Sequence, residues 1–194
     1  MSHESKSHPI DGESSGEDAS DRAEHASTQN ESSDHHQIQD AVVLYAVRHG
    51  EKDSGPNPGL TVEGQARAEA LAETLAEVEI DVIFTSDYRR CQETISPLAV
   101  QVGIEPTVIE AADLRKQFDA LRALPAGTTA VLCGHANTVP MLVQALGSEC
   151  PGLEFGMFPE SAFDRLLVIT FAAGEAGPPE KTKVYVRHYG ERSG

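Results

Sequence analysis

Ala41-Val42-Val43-Leu44-Tyr45-Ala46-Val47-Arg48-His49-Gly50-Glu51 carries an apolar run straight into an arginine, a histidine and a glycine. The run reads as a buried strand, so His49 stands at a strand's carboxyl end, where open α/β sheets form their ligand crevices. Arg48 directly before it supplies a planar, bidentate binder of phosphate oxygens, and His49 can act as a nucleophile toward phosphorus. Gly50 lets the backbone approach a ligand closely. A second apolar strand, Thr129-Ala130-Val131-Leu132-Cys133-Gly134, leads into His135. Two strand-end histidines with an arginine point to phosphoryl chemistry.

Outward from this strand, elements alternate. Ser54-Gly55-Pro56-Asn57-Pro58-Gly59 is loop, and Thr61 then caps a helix with Glu63 in its first turn and Ala66, Ala70, Leu71, Leu75 and Val78 in helical period. Ile80 to Phe84 is a short strand. Ser86 or Asp87 caps a second helix through Cys91, Ile95, Leu98, Ala99 and Val102, which Gly103 ends. Pro106 to Ile109 is an edge strand, followed by a helix from about Asp113 to Leu124. Asn137 caps the helix Thr138 to Leu146, with Pro140 in its first turn. Leu166 to Ala172 and Lys183 to His188 form two last strands around a Gly/Pro turn, Gly174 to Pro179, as an antiparallel pair. Such alternation predicts an α/β fold: a three-layer α/β/α sandwich with a mostly parallel sheet and right-handed crossovers.

Within 194 residues of net charge -16, the segment 1–40 stands apart. It holds ten acidic residues against Lys6 and Arg22, with Ile10 and Ile38 as its large aliphatics. It cannot bury enough apolar surface to offset ordering, so it reads as a disordered acidic tail ahead of one domain, 41–194. The domain is acidic too, which argues against nucleic acid or an anionic membrane as the main partner. No stretch approaches a membrane span, no secretory leader is visible, and a cytoplasmic location is the expectation. Cys91, Cys133 and Cys150 show no metal-binding spacing, and Cys133 reads as a small core hydrophobe. His35-His36 reads as a polar pair in the tail rather than a metal site. No glycine-rich nucleotide loop of the Gly-x-Gly-x-x-Gly or Gly-x-x-x-x-Gly-Lys kind is present.

Phosphoryl transfer to histidine needs one ring nitrogen free and the other held as a donor. It also needs donors around the non-bridging oxygens and a proton for the leaving group. Arg48, His49 and His135 leave strands. Ala136 and Asn137 begin a helix whose N–H groups favour an anion, and Ser86-Asp87-Tyr88-Arg89-Arg90 puts an arginine in the first turn of another. By charge alone Arg89 and Arg90 are equal choices. Tyr88 either lines the pocket or packs, and His188 reads as an ordinary strand residue.

In this order the residues resemble the histidine phosphatase superfamily, the phosphoglycerate-mutase-like phosphatases, in a short branch 1 form without a large cap. The carriers are Arg48-His49-Gly50, Leu60-Thr61-Val62-Glu63-Gly64, Ser86 through Arg90 to Thr94, and Gly134-His135 before a helix. The resemblance covers about residues 42 to 147 and implies a phosphoglycerate-mutase-like fold. It implies His49 as the phosphorylated nucleophile, with Arg48, Arg90 and His135 binding the phosphoryl group, and no metal or organic cofactor. Gly50, Glu51 and Ala136 complete the expected substrate-binding set. Many members carry a glutamate acid in a Leu-x-Glu segment, whereas Leu114-Arg115-Lys116 has lysine there. Asp113 is the first choice for the acid, with Glu110 and Glu51 as alternatives, although Asp113 also suits a helix cap. The function expected is hydrolysis of a phosphomonoester on a small phosphorylated metabolite or phosphoprotein. A protein phosphohistidine or phosphoramidate phosphatase is the alternative, because a phosphoramidate leaving group is easier to expel. A phosphate-binding or interaction module with little turnover is the non-enzymatic one.

Overall fold

A computed structural model describes residues 41–174 and 182–193. The acidic tail, its His35-His36 pair and most of the Gly174 to Pro179 turn lie outside these residues. The elements follow in the order β1 (Ala41–Arg48), α1 (Val62–Thr74), β2 (Val82–Ser86), α2 (Arg89–Val102), β3 (Thr107–Ile109), α3 (Leu114–Arg122), β4 (Thr129–Gly134), α4 (Thr138–Ala145), β5 (Arg165–Ala172) and β6 (Lys183–His188).

The six strands form one sheet in the order β3-β2-β4-β1-β5-β6. β1, β2, β3 and β4 run parallel, β5 lies antiparallel to β1, and β6 pairs antiparallel with β5. β3 is the edge strand its short, half-polar sequence predicts. Each helix buries its apolar face on the sheet, two to a side. Leu71 and Leu75 of α1 and its end, with Ile95 and Leu98 of α2, pack with Val47, Ile83 and Val131. Leu121 of α3 and Val139, Leu142 and Val143 of α4 pack with Val42, Leu44 and Leu132 on the other face. The three-layer sandwich with a mostly parallel sheet is therefore present.

Two junctions of this frame place the site. Parallel pairing sets Arg48 of β1 level with Gly134 of β4, and the His49 N–H donates to the Gly134 carbonyl at 3.0 Å. The two strand-end histidines thus leave adjacent strands at the same height. At the second junction, α1 abuts the chain that leaves β1. Thr61 Oγ1 caps the helix by accepting from the Gly64 N–H at 3.2 Å. A Cβ on Gly64 would lie 2.1 Å from the Glu51 carbonyl oxygen, so only glycine permits this approach.

Several local expectations differ from what is observed. The cap of α2 is Tyr88, with no side-chain cap hydrogen bond, because Ser86 and Asp87 are engaged elsewhere: Asp87 Oδ1 accepts from the Ala111 N–H at 2.8 Å. Asn137 holds the cap position of α4 without capping through its side chain; Thr138 Oγ1 instead accepts from the His135 N–H at 3.0 Å. Leu71 and Leu75 are buried as periodicity predicts, whereas Ala66 is exposed and Ala70 half-buried; Gly64, Arg67, Ala68 and Ala72 complete the buried stripe of α1. Arg67 occupies that stripe because Glu51 meets it there, and Val78 lies beyond the helix end at Thr74.

Candidate active site

His49 is 4% exposed, at the head of β1. Its Nδ1 lies 2.8 Å from the Gly50 carbonyl oxygen, which can only accept, so Nδ1 carries the proton and Nε2 keeps its lone pair. Burial holds the imidazole far below its ordinary range, at about 3, with the Arg90 and Arg48 charges and His135 adding to the shift; only the Gly50 bond opposes it. His49 is a neutral base with a fixed tautomer. Gly50 itself is tied down, its N–H donating to Thr94 Oγ1 at 2.9 Å.

His135 lies beside it, ring centroids 5.4 Å apart at 66°. Arg90 donates from Nη2 to His135 Nδ1 at 3.3 Å, so Nε2 bears the proton and donates to Ser86 Oγ at 3.0 Å. Tyr88 braces both partners: its ring centroid is 5.1 Å from that of His135 and 4.2 Å from Arg90 Cζ. The Ser-x-x-x-Arg-x-x-x-Thr spacing now has a physical reading. Ser86 orients one histidine, Arg90 reaches into the pocket, and Thr94 holds the backbone after the other histidine. Arg89 instead turns outward to Glu93 at 2.6 Å.

The Arg48 guanidinium is anchored through Nη1 to the carbonyl oxygens of Pro159 at 2.9 Å and Glu160 at 2.8 Å. Its Nε, like Arg90 Nε, is buried without a hydrogen-bond partner among the described residues. An unpartnered buried donor costs roughly 1–3 kcal/mol. Two of them stand on the arginines that flank the neutral histidine.

A pocket of about 360 Å³ opens here, lined by His49, Tyr88, Arg90, Ala111, Ala112, His135, Ala136, Asn137 and Thr138. Arginine, two histidines and the start of α4 face it, and none of its lining residues is acidic. Asp113 is exposed and caps α3, its Oδ1 accepting from the Lys116 N–H at 2.9 Å. Glu110 is exposed on the same connection. Glu51 turns both carboxylate oxygens to Arg67, at 2.6 to 3.0 Å. Ala136 lines the pocket, and its carbonyl accepts from the Phe158 N–H at 2.9 Å. Cys133 is fully buried in β4, where burial first and its neighbour Cys91 second push its thiol well above the usual range.

Ser86, Thr94, Phe163 and the Glu51–Arg67 pair carry parts of the site that residue types alone do not announce. Phe163 lies 4.0 Å from Arg48 Cζ and 6.2 Å from the His49 ring. Ser86 and Thr94 were visible only as ends of a spaced motif. His188 is more than a strand residue: its Nδ1 lies 2.8 Å from Oδ2 of the buried Asp164.

Comparison with known proteins bears on this arrangement. Residues 44–115 match the histidine phosphatase superfamily (branch 1). A probable phosphatase of Schizosaccharomyces pombe is 34% identical over 64 residues, 29% of this chain and 31% of its own length. The chain's matches span less than half the length of such curated relatives. The protein histidine phosphatase SixA, solved with tungstate, shares the fold with a TM-score of 0.54 at 20% identity, over 75% of this chain and 96% of its own. A phosphoglycerate mutase from Plasmodium falciparum gives 0.50 at 16% identity, over 77% and 91%. The architecture is the α/β phosphoglycerate-mutase-like fold. The sequence match with the histidine phosphatase superfamily is carried by residues 44–115, and the solved structures share the fold around them.

Proposed function

We propose that this protein is a metal-independent phosphatase working through a phosphohistidine on His49, with a phosphoramidate such as protein phosphohistidine as its preferred substrate. The observation that carries the reading is a pocket lined by the neutral His49, Arg90 and His135 with no carboxylate in its lining, and Arg48, whose Nε like that of Arg90 is unpartnered, directly before His49 in the chain. Arg48 and Arg90 take the phosphoryl oxygens, His135 frames them, and the start of α4 favours the anion. His49 Nε2 attacks phosphorus, forming one N–P bond as the substrate's N–P bond breaks, while Nδ1–H stays on the Gly50 carbonyl. The departing nitrogen takes its proton from water at the pocket mouth. Exchanging one N–P bond for another of similar strength needs no strong acid, whereas an alkoxide leaving group does. Water then attacks phosphorus and frees His49 and phosphate.

Phosphomonoester hydrolysis is the slower activity in this account, since Asp113, Glu110 and Glu51 all stand outside the pocket lining. No described helix is long and apolar enough to cross a membrane. Three unpaired, buried cysteines fit a reducing compartment such as the cytosol. The test is phosphate release from matched phosphoramidate and phosphomonoester substrates, by the protein and its His49→Ala variant. Faster phosphoramidate turnover, lost in the variant, is expected; a preference for the monoester would refute the leaving-group argument. Turnover of neither substrate would favour a phosphate-binding module.

A further inference from the structure

The segment after β6 packs back toward the site without touching the pocket. Ser193 Oγ accepts from the N–H groups of Phe163 at 3.0 Å and Asp164 at 3.1 Å. The Tyr189 N–H donates to the Asp164 carbonyl at 3.0 Å. Arg67, 6% exposed, donates from Nη1 to the carbonyl oxygens of Tyr189 at 3.3 Å and Glu191 at 3.0 Å while its other nitrogens hold Glu51. The segment is therefore stitched at one end to the residue two past the nucleophile. At its other end it is stitched to Phe163, whose ring supports Arg48.

Arg48 needs that support. Its Nη1 is fixed at one corner by the carbonyls of Pro159, Glu160 and, at 3.5 Å, Ala162, which leaves the opposite edge of the guanidinium to be held by packing. A ring face 4.0 Å away braces the plane against tilting through cation–π contact. Planar recognition of a phosphoryl group depends on that tilt, because the paired donors of guanidinium lie in one plane. The Ser193 hydroxyl holds the Phe163 and Asp164 backbone, and so the ring.

We propose that Phe163, clamped by Ser193, is a positioning residue for the phosphate-binding Arg48, which makes segment 189–193 part of the phosphate-recognition apparatus. It rests on the phosphatase reading above. The segment acts through Arg48 and makes no contact with the reacting atoms.

The test is calorimetric binding of inorganic phosphate and of tungstate, with steady-state kinetics on a phosphoramidate, for Phe163→Leu, Phe163→Tyr, Ser193→Ala and Ser193→Thr. Phe163→Leu keeps apolar bulk and loses the ring face; its anion affinity should fall roughly 3- to 10-fold. Ser193→Ala should fall in the same direction. In both, KM rises while kcat holds, and Tyr or Thr restores the affinity. A purely structural role would lower thermal stability and active fraction without this KM-against-kcat split. Unchanged anion affinity in folded Ser193→Ala and Phe163→Leu overturns the proposal while leaving the phosphatase intact. Should Phe163→Leu fail to fold, Ser193→Ala decides by the same readouts. If the unmodified protein binds neither anion and turns over neither substrate, the phosphatase reading itself fails, and this proposal with it.

Discussion

His49 combines a fixed tautomer with a depressed basicity, and both have consequences in solution. Its folded value is about 3 against an ordinary 6.5, so between these limits the unfolded chain binds a proton that the folded chain does not. The resulting stability is present above pH 6.5 and is lost as pH falls toward 3, by about 1.4 kcal/mol per pH unit at most. Denaturant unfolding of the protein and of His49→Asn across pH 4 to 7 should show the parent losing stability more steeply; parallel curves would contradict the burial argument. His135 depends on Ser86 for its tautomer. Ser86→Ala should lower kcat/KM by up to about 100-fold through misorientation of His135 and cost roughly 1–3 kcal/mol for the stranded Nε2–H, read by single-turnover kinetics and thermal melting. Arginine and both histidines could be read from the sequence because strand-end chemistry is local. Ser86 and Thr94 could be read only as spacing, since their partners lie 49 and 44 residues away.

At the scale of elements, the register of β1 and β4 is what brings two histidines to one place. Apolar runs made both strands legible, and the Arg-His-Gly and Gly-His endings made the crevice legible. Helix starts were harder. Polar side chains near a helix start are interchangeable caps on paper, but Ser86 and Asp87 have tertiary partners that outcompete capping. Leu71 and Leu75 of α1 were legible from periodicity, but Arg67 was not, because a buried arginine breaks apolar periodicity and its justification is an ion pair to Glu51. Gly64 is the tightest element contact. Gly64→Ala places a Cβ 2.1 Å from the Glu51 carbonyl and should cost at least about 2 kcal/mol in urea unfolding. It should also reduce turnover, because the displaced backbone is two residues from His49. A neutral effect on both would show that the α1 junction is softer than described.

Across the whole molecule, the site depends on segments distant in sequence: the end of β1, the start of α2, the start of α4, the 159–164 loop and the 189–193 segment. Arg67 links two of these, its buried guanidinium bridging Glu51 and the carbonyls of Tyr189 and Glu191. Arg67→Met should destabilise the fold by about 3 kcal/mol, because it strands a carboxylate and two carbonyls near the interior. Melting at neutral pH would measure it, and a change within error would mean that water replaces the guanidinium at no cost. The general acid was the least legible part. Asp113 carries acid chemistry by type, but its carboxylate serves as the cap of α3.

The central claim is the covalent step at His49. Rapid quench of the protein with a phosphoramidate, followed by peptide mass spectrometry under alkaline conditions that preserve phosphohistidine, tests it directly. The account predicts one phosphoryl group on the peptide bearing His49, formed before phosphate release and absent from His49→Ala. Phosphate release with no phosphoryl-enzyme, or label on another residue, would contradict it.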